Sequence, residues 1–177
     1  MDNYTQKDYE EYLIKNPKYD SDWIRVAAQI LSITDKYTDH DLAKYNSNQL
    51  SHILTIVKDN IDIELSADLN ATQMQLIITA IKNNINPEYV NILNTPDIPY
   101  AVSNYIVLGL SEGFDDMISY INYDPDQVYE IYCGYKNNVD ISKYNLHDIP
   151  AKDMALIRHA LEIGKDASYK DGIITIQ

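Results

Sequence analysis

The sequence is poor in residues on which many small folds and catalytic motifs depend. Its 177 residues include one cysteine, Cys133, five glycines, one phenylalanine and one tryptophan. A single cysteine excludes a disulfide framework within the chain and favours a reducing compartment. The few glycines argue against a phosphate-cradling loop, and no Walker, G-x-S-x-G or G-x-G-x-x-G sequence occurs.

Basic residues are also scarce. Fourteen Lys and Arg stand against 27 Asp and Glu, which gives a formal charge of −13. This balance predicts no direct binding to nucleic acid or to an anionic membrane, and it favours a basic partner protein. No apolar run approaches the roughly 18–20 residues of a membrane-spanning helix, and the N-terminus lacks the pattern of a signal peptide. We therefore predict a protein of the bacterial cytoplasm.

Groupings typical of catalytic or metal sites are missing from the sequence. The four histidines, at positions 40, 52, 147 and 159, show no common spacing and have few cysteine partners for a zinc site. Cys133, or the pair His40-Asp41, would be the centre of an enzyme if there were one. We predict that the protein is not an enzyme and has no catalytic, cofactor-binding or metal site.

A pattern recurs every 24–29 residues from residue 49 onward. Its positions two, five, six and nine are mostly apolar, which is the spacing of one face of an α-helix. Position eight is mostly small, so another helix can approach closely there. Position twelve is Asn or Gly, the residues that best tolerate the left-handed conformation that ends helices. The first positions of the five units are Gln49, Gln73, Val102, Gln127 and Asp153, and the fifth are Ile53, Ile77, Ile106, Ile131 and Ile157.

Capping residues mark where the helices begin. Asn46, Asn70 and Asp124 each stand three residues before a glutamine, which is a capping-box arrangement. Pro99 and Pro150 mark the starts of the third and fifth units. Each unit is therefore predicted to open with a capped helix of about 14 residues. A second, shorter helix is predicted within segments 86–100, 115–123 and 140–148.

These patterns predict an all-α fold of about five tandem helix-turn-helix units in a compact array. Residues 45–172 would form the helical-repeat domain, and residues 1–44 an N-terminal helical cap or a degenerate repeat. Within the N-terminal part, residues 8–14 read as a short amphipathic helix. A homodimer is left open, and an unpaired apolar face around Trp23, Val26 and Ile30 is the first place to look for it.

Parts of two units resemble a known repeat. Gln73-Met74-Gln75-Leu76-Ile77 and the segment 109–115 resemble the halves of a "Q-M-x-x-I-x-x-G-L-x-x-G-x-D" unit, which a tyrosine follows; Tyr144 matches that tyrosine. Such units recur in tandem in proteins of low-GC Gram-positive bacteria and their mobile elements. The resemblance covers about residues 45–170 and departs at Val102 and Ser103. It implies an accessory or mobile-element context and no particular chemistry.

Acids and tyrosines carry the functional hypothesis. There are 16 tyrosines, and tyrosine is a favoured contact residue of interfaces. The turn acids at positions 62, 115, 140 and 166 would line one edge of an array and imitate a phosphate backbone. The predicted partner-binding residues are Asp115, Asp116, Tyr120, Tyr123, Asp126, Tyr129 and Glu130.

We therefore expect an acidic, non-enzymatic inhibitor from a phage or mobile element. Its expected target is a CRISPR effector nuclease, whose nucleic-acid-binding surface it would block as an anti-CRISPR protein. The alternative is a generic helical-repeat adaptor or scaffold that binds a peptide or a partner helix. An inhibitor that acts through charge should weaken strongly with ionic strength, whereas an adaptor should depend on tyrosines in its groove.

Overall fold

The computed structural model describes residues 4–177 and is mostly α-helical, as the sequence predicts. Two short 3₁₀ helices, Asp115–Tyr120 and Ile141–Lys143, lie between the later α-helices, and one β-hairpin lies near the C-terminus. The α-helices are α1 (Gln6–Leu13), α2 (Ser21–Ile33), α3 (Asp39–Leu42), α4 (Ser47–Lys58), α5 (Ala71–Lys82), α6 (Pro87–Leu93), α7 (Tyr100–Ser111), α8 (Pro125–Lys136) and α9 (Ala151–Glu162).

Helix starts follow the predicted capping residues. Asn46 is the N-cap of α4, and its side chain accepts from the backbone N–H of Gln49 at 3.0 Å while the Gln49 side chain accepts from the N–H of Asn46 at 2.8 Å. Asn70 and Gln73 exchange the same two hydrogen bonds. Pro99 and Pro150 each lie one residue before a helix, so the prediction of a start at proline is confirmed to within one residue.

Helix ends follow the predicted Asn and Gly positions. Asn60, Asn84 and Asn138 have φ between 52° and 57°, and Gly113 and Gly164 have φ of 88° and 78°. After each of them, the next backbone N–H donates to the carbonyl five residues back, for example Ile61 to Ile56 and Val139 to Gly134. This is the left-handed ending that closes many helices, so the prediction for position twelve of the pattern is confirmed.

The prediction of a second helix in each linking segment is only partly right. Segment 86–100 contains α6, but the other two linkers form the 3₁₀ helices. Both 3₁₀ segments lie against a glycine of the preceding helix. A Cβ on Gly109 would lie 2.4 Å from the Met117 side chain, and one on Gly134 would lie 1.8 Å from the Tyr144 hydroxyl. The small residue at position eight therefore does allow a close approach, by a linker in these two cases.

The first of two compact units takes in the described residues up to Thr79, together with Asn94–Pro96. Within it, α2 packs against α1, α3 and α4. Its core is mostly aliphatic, with one indole and two tyrosines, and includes Leu13, Trp23, Ile30, Tyr37, Leu42, Tyr45, Leu50, Ile53, Leu65 and Leu69. Trp23, Val26 and Ile30 are at most 4% exposed, so the expectation of an unpaired apolar face at these residues is wrong: α1 and α4 cover α2.

The second compact unit consists of Ala80–Leu93 and Asp97–Gln177. Here α8 packs between α7 and α9, and α9 also contacts an antiparallel hairpin of strands β1 (Ala167–Lys170) and β2 (Ile173–Ile176). Asp171 and Gly172 join the strands with φ of 49° and 80°, the positive values that a two-residue hairpin turn requires. The sequence analysis does not predict this hairpin. The core of the unit includes Val102, Ile106, Met117, Val128, Ile131, Tyr144, Met154 and Ile157.

Candidate protein-interaction surface

The predicted partner-binding residues separate by exposure. Asp115, Asp116 and Asp126 are exposed, and Tyr129 is 42% exposed. Tyr123 is half-buried. Tyr120 and Glu130 are only 7% and 8% exposed, so the structure removes these two from any accessible surface.

Tyr129 belongs to a cluster of three tyrosines on α7 and α8, which we name the α7–α8 tyrosine cluster: Tyr105, Tyr129 and Tyr132. The ring of Tyr105 lies 5.2 Å from that of Tyr129 and 5.9 Å from that of Tyr132, with tilted geometry in both pairs. Such offset contacts hold aromatic rings in place and leave their outer faces free to bind. Asp126 stands on α8 three residues before Tyr129, and therefore lies on the same side of the helix.

A carboxylate and an ammonium group border the cluster. Glu112 accepts a hydrogen bond from the Tyr132 hydroxyl at 3.1 Å and from the Lys136 ammonium at 2.9 Å. Lys136 also lies 5.9 Å from the centre of the Tyr132 ring. Burial and the Glu112 carboxylate raise the pKa of Tyr132, and a hydrogen bond with Cys133 raises the pKa of Tyr129. Both phenols therefore stay neutral at physiological pH and can donate or accept hydrogen bonds.

Tyr120 and Tyr123 form a separate group with structural contacts. Their rings meet edge to face at 5.3 Å, and Tyr123 meets the His147 ring in the same way at 5.0 Å. The Asn145 side chain donates to the Tyr120 hydroxyl at 3.0 Å, and the Tyr123 hydroxyl donates to the Asn145 carbonyl at 2.9 Å. These bonds link the start of α8 to the segment before α9. Both tyrosines therefore have a structural role that requires no partner protein.

Glu130 likewise has a partner inside the protein. The Arg158 Nε donates to Glu130 Oε2 at 2.7 Å, and the Arg158 Nη1 is paired with Glu162. Burial opposes ionisation of Glu162, but the hydrogen bonds from Arg158 and Asn137 outweigh it and lower the pKa of Glu162. The buried Glu130 carboxylate thus links α8 to α9 through Arg158, and its charge is not available to a ligand.

The predicted row of turn carboxylates is partly neutralised. Lys36 lies 3.5 Å from Asp62, and Lys143 lies 3.7 Å from Asp166. Asp140 accepts hydrogen bonds from the backbone N–H and the hydroxyl of Ser142. Ion pairs at such exposed sites are weak, but each places a positive charge beside an acid that would have to imitate a phosphate.

Two tyrosine–glutamine corners are structural features that the repeat pattern alone does not predict. In the first corner, the Tyr45 hydroxyl donates to the Leu65 carbonyl at 2.7 Å, and the Gln49 amide donates to the carbonyls of Ala67 and Leu69 at 2.9 and 2.7 Å. The tyrosine and the glutamine thus take three alternate carbonyls of one segment, which turns at residues 67–68. The oxygen of the same glutamine side chain meanwhile caps α4.

The second corner repeats this arrangement with other residues. The Tyr123 hydroxyl donates to the carbonyl of residue 145, and the Gln127 amide donates to those of residues 147 and 149 at 2.8 Å each. Trp23 makes a related bond, because its Nε1 donates to the Tyr45 carbonyl at 2.9 Å. The signal in the sequence is the pattern Tyr-[Asp/Asn]-x-x-[Gln/Trp], which begins at residues 19, 45 and 123.

The residues proposed as the centre of an enzyme lie on different helices. Cys133 is half-buried and lies beside Tyr129, while His40 is exposed at the start of α3. Burial lowers the pKa of His52, which favours its neutral form. Within residues 4–177, no three His, Cys, Asp or Glu side chains are grouped so that they could hold a metal ion. Over the same residues, no helix has the length and apolar character needed to cross a membrane.

Comparison with other proteins adds no further constraint. No family model, no curated protein and no solved structure matches the chain. What the protein does must therefore be argued from its own surfaces and from the contacts that hold them.

Proposed function

We propose that the protein is a tandem helical-repeat binding protein without enzymatic activity. The observation that best supports the repeat is one recurring contact. The third helical residue of α2, α4 and α8 donates to the carbonyl two residues before the start of α4, α5 and α9, respectively. In these three cases one helix fixes the start of a later one, as neighbours in a linear array would. The Trp23 contact follows the same scheme, which supports a degenerate repeat over a simple cap in residues 1–44.

The span of the polar contacts also supports an array. Side-chain hydrogen bonds between different helices and linkers join residues 14 to 30 positions apart, from Tyr144–Glu130 to Asn94–Glu64. Repeats of 24–29 residues that touch only their immediate neighbours would produce this range. The resemblance to the "Q-M-x-x-I-x-x-G-L-x-x-G-x-D" units fits the same proposal, since Gly109 and Gly113 fulfil the close-approach and helix-ending roles of the two glycines.

The binding surface is proposed to be the α7–α8 tyrosine cluster together with exposed acids of the same compact unit. Tyr129 offers an exposed ring on a rigid helix, and Asp126, Asp115 and Asp116 are exposed carboxylates. Rings beside carboxylates suit Arg- and Lys-rich protein surfaces, through cation–π contacts and charge pairs. The formal charge of −13 would speed the encounter with such a partner.

The partner class proposed first is a CRISPR effector nuclease, with the protein acting as an inhibitor at its basic nucleic-acid-binding surface. Lysines form ion pairs with Asp62 and Asp166, so the turn acids do not form a continuous row of phosphate-like charges. Mimicry of a phosphate backbone is therefore the less favoured mode of inhibition. The favoured mode is a compact patch in which Tyr129 supplies contact area and the acids supply charge.

The test is inhibition and co-elution with purified nucleases from low-GC Gram-positive bacteria. We expect Tyr129→Ala to weaken binding at least about tenfold, the effect of losing an interface anchor worth about 1–2 kcal/mol. Tyr100→Ala is the matched control, because Tyr100 lies on α7 and is also 42% exposed. If no nuclease is inhibited or co-elutes, the inhibitor proposal fails.

An adaptor function is the second candidate, because the exposed side chains of this surface are aromatic as well as acidic. Ionic strength separates the two. An inhibitor held by charge should lose affinity steeply between low and physiological salt, whereas an adaptor that binds an apolar helix should change little. Replacing Asp115 and Asp116 by Asn should likewise weaken only the first kind of complex.

A further inference from the structure

A cavity of about 690 Å³ lies in the first compact unit, beside α1. Three tyrosines from the N-terminal segment, Tyr4, Tyr9 and Tyr12, line one side of it, and residues 31–35 and 37–39 line the other. Tyr4 and Tyr12 are 59% and 57% exposed, so the cavity is open to solvent at its aromatic side.

The aromatic lining forms an incomplete cage. The Tyr4 and Tyr9 rings lie 5.8 Å apart and are inclined at 59°, so their faces are not parallel. Tyr37 adds a fourth tyrosine from the opposite side. Several electron-rich ring faces around one space attract a cation, and they do so most strongly when the cation leaves water.

The charge of the lining has the matching sign. Asp35 and Asp39 line the cavity, and Asp39 is oriented by a hydrogen bond from the Tyr12 hydroxyl at 3.3 Å. Among the described residues that line it, none is Lys or Arg. Lys36, between Asp35 and Tyr37 in the chain, is paired with Asp62 instead.

One polar group in the lining lacks a partner. The Tyr37 hydroxyl is fully buried and makes no hydrogen bond within the described residues, although the residue is only 7% exposed. Burial raises the pKa of Tyr37, so the hydroxyl is neutral and retains its lone pairs as acceptors. The groups whose charges act on this hydroxyl are Tyr45, Glu64, Lys44 and Asp41, none of which lines the cavity. The hydroxyl therefore belongs to the core beneath the lining, and a ligand in the cavity would meet the rings and carboxylates instead.

We propose that this cavity binds the arginine side chain of a basic polypeptide. A guanidinium group is planar and weakly hydrated, stacks on tyrosine rings, and carries five N–H donors. Those donors match the carboxylates of Asp35 and Asp39, which line the cavity beside the tyrosine rings. A lysine ammonium would gain the charge contacts but would lose the stacking. The site consists of first-unit residues only, so it does not depend on the α7–α8 tyrosine cluster.

The experiment is an NMR titration of the ¹⁵N-labelled full chain with Nα-acetyl-arginine N-methylamide. The neutral isostere, the corresponding citrulline derivative, is titrated in parallel. We expect saturable shift changes confined mainly to residues 4–12 and 31–39, and affinity for the arginine probe about tenfold higher than for citrulline, as cation–π contacts and charge pairs with Asp35 and Asp39 together imply.

Two variants test the lining directly. Tyr12→Leu removes a ring that is exposed, so the fold should tolerate it, and Asp39→Asn removes charge at constant size. Each should weaken the arginine probe about two- to fivefold, whereas Tyr100→Leu, at an exposed tyrosine outside the cavity, should not. Equal responses to arginine and citrulline, unchanged affinity in both variants, or no saturable change near the cavity would overturn the proposal. Tighter binding of the acetyl-lysinamide analogue would overturn the choice of guanidinium.

Discussion

The two tyrosine–glutamine corners use the same polar contacts in different surroundings. In both, a tyrosine and a glutamine four residues later take three alternate carbonyls of a segment that turns before the next helix. Their helix starts nevertheless differ, because Asn46-Ser47-Asn48 precedes Gln49 whereas Asp124-Pro125-Asp126 precedes Gln127. The geometry thus depends on the tyrosine, the glutamine and the backbone, and the residues between can change.

The corners differ most in how they are packed. Tyr45 is 3% exposed, and its own carbonyl is taken by the Trp23 indole. Tyr123 is half-buried and meets the edges of Tyr120 and His147. The first corner is therefore part of a core, and the second lies close to the surface. We expect the hydrogen bond of the tyrosine hydroxyl to contribute more to stability in the first corner, since a buried partner left unsatisfied costs more. The glutamines, at 6% and 4% exposed, should contribute alike.

The largest effect is expected from breaking the segment that carries the second corner. In Gly134→Val, the new Cβ would lie 1.8 Å from the Tyr144 hydroxyl and 2.7 Å from the Ile141 side chain, so the segment before residue 145 must move. We expect a loss of about 3 kcal/mol or more in the free energy of unfolding, at the upper end of overpacking effects. Urea denaturation followed by circular dichroism measures it.

A graded series serves as the control for this substitution. Gly134→Ala adds the same Cβ with less bulk and should lose less stability. Ile56 occupies the same position, eight, of the recurring pattern in α4, and Ile56→Val should cost only about 1 kcal/mol. An unchanged unfolding midpoint in Gly134→Val would contradict the close approach of Tyr144 to α8.

A smaller and symmetrical effect is expected from Gln49→Ala and Gln127→Ala. Each removes two hydrogen bonds to backbone carbonyls and one helix cap, so each should lower the free energy of unfolding by about 2–3 kcal/mol. Gln75→Ala, at an exposed glutamine of α5, is the matched control and should change stability by less than about 0.5 kcal/mol. Losses at the two corners that differ by more than about twofold would show that the corners are not equivalent.

The smallest effect is expected from removing the tyrosine hydroxyls, and its size should differ between the two corners. Tyr45→Phe removes a buried hydrogen bond and should cost about 1–2 kcal/mol, whereas Tyr123→Phe removes a half-buried one and should cost less than about 1 kcal/mol. Thermal denaturation of the two variants side by side measures the difference. Equal costs would remove the distinction between a core corner and a surface corner.

Alkaline titration sharpens this test. Burial raises the pKa of Tyr45 to about 12, from an ordinary value of 10.0. A raised folded-state pKa means that the contribution of this phenol is complete below pH 10 and is lost as the pH rises towards 12. Tyr45→Phe should therefore show a shallower loss of stability between pH 10 and 12 than the wild type, whereas Tyr123→Phe should follow the wild type more closely.

The local features of the fold could be predicted because they depend on few residues. The caps at Asn46 and Asn70 need only a polar side chain and a glutamine three residues on, and the helix ends at Asn60 and Asn138 need only a residue that tolerates positive φ. The helical face of the recurring pattern was equally readable, since burial of positions such as Ile53 follows from the period of the helix.

The surface was harder to predict because exposure depends on contacts between segments that are distant in the chain. Tyr120 and Glu130 lie at positions that a single helix or turn would leave open, but Asn145 reaches one and Arg158 the other from about 25–28 residues away. The C-terminal hairpin also escaped prediction: its Asp171-Gly172 turn is a recognisable signal, but each strand has only four residues.

The single tryptophan has a practical consequence for studies in solution. Trp23 is 4% exposed, stacks on Tyr19 at 3.7 Å and donates its indole N–H to the backbone of residue 45. Excitation at the red edge of the absorption band would therefore select one chromophore among 16 tyrosines, and its emission would report on water entering at the joint between α2 and α4. The molecule thus carries its own optical probe of how its first unit opens, and no label needs to be introduced.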